Sequence, residues 1–504
     1  MAWVGSIFAF HQVGFVYATR LFIGVRGMRS FNVSHFLSPF SKSARGMPLC
    51  VSLFALLLSA GGAHASVARL EADLQTLWGS GEQLIEIGEL REQGQRVMAE
   101  HIVIRLAQGD VVTIEAYHVQ GDYDQPDSVS FYGIRIIEPD VRDPVLSLSE
   151  MTLARPGAAV PLLSSVLAHD APLHGLQLRE LSVWLDGTLA KQWTEEWGND
   201  AALTGYLTLQ ALVLEEMSDA ALGRFELHGL KAEFNDLASG FSASLGLDEL
   251  SMRGLAGLDR PGEEQLAWAE VNGFSLTGDR WSVLLERAWA SGNLYVSDMG
   301  FQGAALDIGQ LIRLAPAQER QDLQVMNNVL TGGSGQMNAA GRSVSEWDDE
   351  TQPAQLTSEG FLQLSEAGDV RYQMELPVTL PAHVTIEQAM QHPALFETAR
   401  LHGGNVTLAY KDAGLLPRLA SELAAQEGIS TSQMVAQGWA QARQFERLAG
   451  PQVAKLMVAL VDIMGGYAQS LTTHIALPDP FTLEQFMMDP LGSSQRLRVT
   501  FELK

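Results

Sequence analysis

Nine histidines beyond residue 65 offer the first place to look for chemistry: His101, His118, His169, His174, His228, His383, His392, His402 and His474. None falls in His-Glu-x-x-His or another metal-ligand spacing. His169 and His174 flank Asp170, an ordinary loop arrangement to which no metal or catalytic role is assigned. Residues 66–504 also lack a G-x-S-x-G elbow, a Ser-x-x-Lys pair, a P-loop and a dinucleotide glycine fingerprint. No catalytic, cofactor-binding or metal-ligating residue is therefore assigned. A hydrolase built from distant Ser, His and Asp stays open as a minor reading, because a triad needs no local motif.

Asp122-Tyr-Asp-Gln-Pro-Asp127 has the opening of a calcium loop, yet it lacks Gly at the sixth position and Glu at the twelfth. A turn between two strands is the expected reading. Trp347-Asp-Asp-Glu350 reads as a solvated acidic loop. Among the ten tryptophans, Trp184, Trp268, Trp281 and Trp289 lie in apolar patterns and are expected in the core. Trp193 and Trp197 differ. Four apart and bracketing a Glu pair, they would share one face of a helix, and they are the candidate exposed aromatic contacts.

Charge narrows the partners. Five of the 33 basic residues precede residue 66, which leaves 28 against 59 acids and a formal charge of −31 for residues 66–504. Phosphate backbones and anionic headgroups both select basic surfaces, so neither nucleic acid nor electrostatic lipid docking is expected. The single cysteine, Cys50, also lies before residue 66. Disulfides, thiolate metal sites and cysteine nucleophiles are thereby excluded beyond it.

Residues 1–65 read as a leader whose core, 47–65, is a cleavable signal peptide. Lys42 and Arg45 supply the positive start, residues 48–60 the apolar stretch, and Ala63-His-Ala65 the small-x-small site. That apolar stretch is short of the roughly 20 residues that a spanning helix requires. Cleavage is expected after Ala65, with export to the periplasm; Met28 and Met47 are alternative starts, and a mitochondrial transit peptide is the weaker rival. No segment after the signal has the apolar length to span a membrane as a helix.

The elements that must position any site are mostly strands. A short amphipathic helix is expected over 66–78, then strands over 96–106, 110–120, 127–137 and 144–153. Between 176 and 296 a φ-x-φ-x-x-φ-x-φ phrase, φ being apolar or small, recurs at 176–183, 207–214, 225–232, 245–252, 269–276 and 289–296. Period-2 alternation on either side of a two-residue skip predicts a bulged strand. Glycine at the skip (Gly229, Gly273, Gly292) fits a positive φ there. Recurrence at about 20 residues implies a meander or a stack of units.

The organisation expected is a β-rich region over 66–300, a helical insertion and Gly-rich linker over 301–335, and further strands over 336–412. A helical C-terminal region with a final strand completes the chain over 413–504. Ser430 and Gln433 predict a capping box, and Pro451 opens the next helix. The fold class is thus mainly β with α (α+β): a long antiparallel, repeat-built, curved sheet with the helical C-terminal region packed on it.

Phrases such as Phe225-Glu-Leu-His-Gly-Leu-Lys-Ala232 and Leu245-Gly-Leu-Asp-Glu-Leu-Ser-Met252 resemble the repeats of exported AsmA-like envelope proteins of Gram-negative bacteria. That resemblance spans roughly residues 96–300 and implies a sheet that holds lipid in a groove. The chain departs from it in having no anchor after the signal and in its helical C-terminal region. The partners expected are a lipid or another apolar ligand, or alternatively an envelope protein.

Overall fold

The computed structural model describes residues 64–504 except 79–83, 107–108, 140, 142, 162–172, 186–202, 237–239, 261–264, 280–281, 294, 392–394, 397, 445, 447–449 and 489–495. These residues are mainly antiparallel β with helices, including helices toward the C-terminus, as the patterning predicts. Two compact units divide between Val271 and Asn272, inside the strand Gln265–Gly278.

The first unit opens with helix α1, His64–Trp78, whose Leu70 and Leu74 are wholly buried. Strands β1 (Leu84–Glu86), β2 (Leu90–Gln93), β3 (Arg96–Arg105), β4 (Val111–Gly121) and β5 (Pro126–Ile137) follow. After them come β6 (Leu146–Ala154), β7 (Leu173–Trp184), β8 (Leu203–Met217), β9 (Ala221–Asp236) and β10 (Phe241–Ala256). β1 and β2 both pair with β3, and from β3 to β10 each strand pairs antiparallel with the next. Such a meander needs only short connections. The β3–β4 hairpin turns through Gly109, at φ 98°, whose N–H donates to the Leu106 carbonyl at 2.9 Å. Helix α1 lies on β2 and β3 and closes the apolar core there.

The second unit takes up the strand at Gln265–Gly278 (β11) and continues with β12 (Ser282–Gly292) and β13 (Val296–Asp307). Helices α2 (Ile308–Leu314) and α3 (Ala317–Thr331) intervene before β14 (Gln336–Asp348), β15 (Ala354–Leu364) and β16 (Gly368–Thr379). The glycines after Thr331 end α3: Gly332 sits at φ 62° as its left-handed C-cap. Next come α4 (Ile386–Gln391), β17 (Arg400–Leu401) and β18 (Asn405–Asp412), the last two separated by Gly403 and Gly404 at positive φ. Helices α5 (Leu415–Glu427), α6 (Thr431–Gln444) and α7 (Pro451–Met464) precede β19 (Ser470–Ala476), α8 (Leu483–Met488) and β20 (Arg498–Leu503).

Glycines in this unit make room for rings across the ladder. Trp289 faces Gly300, Phe301 faces Gly341, and Tyr372 faces Gly360, each pair in register. A Cβ on any of the three glycines would run into the opposing ring. An aromatic side chain laid over a glycine in this way restores the contact that the missing side chain forfeits.

The helical region is fastened at two points. The capping box forms as the sequence predicts, with Ser430 N–H donating to Gln433 Oε1 at 2.9 Å and Gln433 N–H to Ser430 Oγ at 3.2 Å. Arg418, in α5, donates to the carbonyls of Val329, Ala413 and Glu366, so one guanidinium ties α3, the start of α5 and the β15–β16 turn. Helix α7 packs on α6 and touches β19 and β20. Its Ile463 is fully buried with Leu471.

Candidate functional site

The phrase read at 176–296 proves to be one strand's worth of sequence, and it begins earlier. Five of the six instances fall inside β7, β8, β9, β10 and β11; the sixth, 289–296, runs across the turn between β12 and β13. Gly229 and Gly273 take the left-handed φ of 63° expected at the skip, whereas Gly292, at φ 152°, closes the end of β12. The same spacing is also present in β3 (Val97, Ala99, Ile102, Ile104), β4 (Val112, Ile114, Tyr117, Val119), β5 (Val129, Phe131, Ile134, Ile136) and β6 (Leu146, Leu148, Met151, Leu153). In β12 it runs 283–290, and in β13 299–306.

Register then does the assembling. Across β7–β8, Leu176 faces Leu214, Leu178 faces Leu212, Leu181 faces Leu209 and Val183 faces Leu207. Across β9–β10, Leu245, Leu247, Leu250 and Met252 face Ala232, Leu230, Leu227 and Phe225. Phrase meets phrase at every ladder of β3–β10, which places all these side chains on one sheet face. A one-residue slip would turn them to the other side.

The two-residue skip keeps both halves of each strand on that face, and it has a backbone cause. The fifth phrase residue is left-handed in every second strand: His101 (φ 56°), Gly133 (φ 62°), Glu180 (φ 53°), Gly229 (φ 63°), Gly273 (φ 63°) and Gly303 (φ 64°). Pairing lapses around it in each neighbouring ladder that is described. This behaves as a bulge, which re-aims the strand without ending it.

Burial along the face is uneven. In β3–β6 all four phrase positions of every strand are at most 8% exposed, beneath the same core that holds Leu70 and Leu74 of α1. In β8–β10 the phrase positions Leu207, Leu212, Phe225, Leu227, Leu230, Leu245, Leu247 and Leu250 are half-buried, while Leu209, Leu214, Ala232 and Met252 are at most 7% exposed. One end of the face is covered and the other is partly open. An apolar surface of this kind, left part-open by the chain's own side chains, is suited to an apolar ligand and offers few polar groups to orient one.

Helix α1 is clasped at its rim by polar groups. Tyr123 Oη donates to Asp73 at 2.8 Å, Arg69 pairs with Asp124 at 2.6 Å, and the Arg69 guanidinium lies over the Tyr123 ring. Burial, with the Asp73 bond, pushes the Tyr123 hydroxyl well up. The hydrogen bond from Arg69 holds Asp124 below the usual carboxylate value. Asp122 accepts the Asp124 N–H at 2.9 Å, so the acidic loop is a local Asx turn joined to α1. On the opposite face of β8–β9, Arg224 bonds Glu226 and Glu215, and the bond to Glu226 holds that carboxyl below its ordinary value.

Trp193 and Trp197 lie outside the described residues. Ala65 sits in the first turn of α1, so a cut after it leaves Ser66 at the head of that helix. His118 packs on the ring of Tyr132, and burial together with Arg96 lowers its pKa. Trp184 is not a core residue: it is 47% exposed and packs on Tyr206, because it follows Val183 and so points away from the phrase face. Among the described residues no three His, Cys, Asp or Glu side chains are grouped to hold a metal ion, and no helix is long and apolar enough to cross a membrane.

Comparison with known proteins adds no relative: no family model, no curated protein and no solved structure matches the chain.

Proposed function

We propose that this chain is an exported, repeat-built periplasmic protein of the cell envelope that holds a lipid or another apolar ligand on the phrase face of β8–β10. One observation carries the reading. Of the twelve side chains in β8–β10 equivalent to those sealed in β3–β6, eight are half-buried, although they are just as apolar. Half-buried leucines in register across three strands, at about 25 cal/mol per Å² of the apolar area still open, leave a few kcal/mol available to an acyl chain laid along them. The AsmA-like texture of the phrases and the signal-like leader agree with this reading.

Mass spectrometry of the protein purified from the envelope fraction tests it. Co-purifying lipid that is lost in a Leu247→Glu variant is the expected result, and a protein clean of lipid overturns it. A second reading, an envelope-protein interaction module, draws on a shallow groove of about 350 Å³ along α3, lined by Val325, Met326, Val329 and Leu330 with Asp322 and, from α5, Gln426. Partner capture from envelope extract that fails with Met326→Glu would favour it.

A further inference from the structure

Three segments of the second unit meet at Thr379, His402 and Asp479. Thr379 ends β16, His402 follows β17, and Asp479 stands two residues before Phe481. Each is anchored by a buried neighbour: Val378 at 1% exposure, Leu401 at 1% and Phe481 at 4%. Backbone bonds lock the segments together, with Leu401 N–H to Phe481 O at 2.8 Å, Phe481 N–H to Leu401 O at 3.1 Å and His402 N–H to Pro377 O at 2.9 Å. On this frame Thr379 Oγ1 lies 2.9 Å from His402 Nε2, and Asp479 Oδ1 lies 3.5 Å from His402 Nδ1.

The geometry points to an acyl-transfer triad, with Thr379 as nucleophile, His402 as base and Asp479 as the group that orients the imidazole. The nitrogens are used in the order that such chemistry requires: hydroxyl on Nε2, carboxylate on Nδ1. Arg400 is paired directly with Thr379 across the β16–β17 ladder, which sets its side chain beside the hydroxyl on the same face. A cation there stabilises negative charge developing on a carbonyl oxygen. Thr379 and Arg400 are both exposed, so the substrate class is a carboxylic ester presented at a surface.

In the first step Thr379 Oγ1 bonds to the ester carbonyl carbon while its proton passes to His402 Nε2. The tetrahedral adduct then expels the alcohol, which takes that proton. Water repeats the sequence on the acyl-threonine, releasing the acid and restoring the hydroxyl. No oxidant or metal enters the balance.

The test uses the full purified chain with p-nitrophenyl butyrate. Acid quench and peptide mass spectrometry should find a butyryl group on Thr379, and ester hydrolysis should fall about a hundredfold in Thr379→Ala and His402→Gln, the scale of a lost general base. Thr379→Ser should keep both adduct and turnover. Asp479→Asn should lower kcat with KM unchanged, a split that a merely structural role would not produce. Circular dichroism matching the parent shows that each variant is folded. An absence of adduct on Thr379, or parental hydrolysis by the folded Thr379→Ala protein, overturns the triad.

Discussion

The side chain of Glu115 occupies the space that a Cβ on Gly133 would need. The two face each other across the β4–β5 break, and Gln210 over Gly229 and Glu286 over Gly303 repeat the arrangement. Gly133 also holds φ 62°, where an L side chain costs about 1–2 kcal/mol. Glu115 is an exposed, flexible side chain that can swing aside, so Gly133→Ala should lose about 1–2 kcal/mol, most of it backbone strain. Gly94, at φ 64° with nothing near its Cβ position, isolates the strain; Gly94→Ala should lose about 1 kcal/mol. Urea midpoints of the two variants, and of Gly133→Ala with Glu115→Ala, separate the contributions.

Ile102 and Leu247 hold phrase positions that differ in cover. Ile102 is wholly buried, so Ile102→Ala should cost roughly 2–5 kcal/mol. Leu247 is half-open, and Leu247→Ala should cost well under half of that. A fluorescent apolar probe should bind the parent and the Ile102→Val protein alike, and bind Leu247→Glu poorly. Equal binding by all three would remove β8–β10 as the ligand face.

Arg418 is the sole side chain bonded to the carbonyls of Val329, Ala413 and Glu366 among the contacts described above. Arg418→Met keeps the length and removes every donor. Only the bond to Val329 is part-buried, the other two being exposed, and an unpaired carbonyl costs about 1–3 kcal/mol at full burial, so a net loss of about 1–2 kcal/mol is expected. Hydrogen exchange should show α3 and α5 opening first.

The clasp on α1 has a pH window. Asp124 has a lowered folded pKa, so its contribution is complete above the unfolded carboxylate value of about 3.9 and fades as pH falls below it. Tyr123 has a raised folded pKa, so its contribution is complete below about 10 and is lost as pH climbs past that value. Amides of α1 should stay protected between those limits and exchange faster on both sides. Tyr123→Phe should abolish only the alkaline limb.

If the leader is processed as proposed, N-terminal sequencing of exported protein should begin at Ser66. An intact leader on protein recovered from the periplasm would contradict the cleavage site.

Much of the strand order was legible because period-2 alternation survives a bulge: β7 to β11 were found from their phrases, and β3 to β6 as strands. The phrase itself went unread in β3–β6 because outward positions there are apolar too. Met98, Val103 and Val111 blur the alternation. His101 and Glu180 are left-handed without being glycine, and no local signal announces that. β19 was missed since Thr472-Thr-His474 looks polar, yet Thr473 is buried through pairing with Leu408 and Phe501. Thr379, His402 and Asp479 are separated by many residues, and only the ladder and the Leu401–Phe481 bridge bring them together.

The left-handed residue occupies the same phrase position in β3, β5, β7 and β9 but not in the strands between. This confers a parity rule on change in the chain. Removing or duplicating two adjacent strands would keep every kink opposite a strand built to receive it, whereas removing one would set two kinks side by side and reverse the direction of all that follows. Such a sheet can lengthen or shorten only by hairpins.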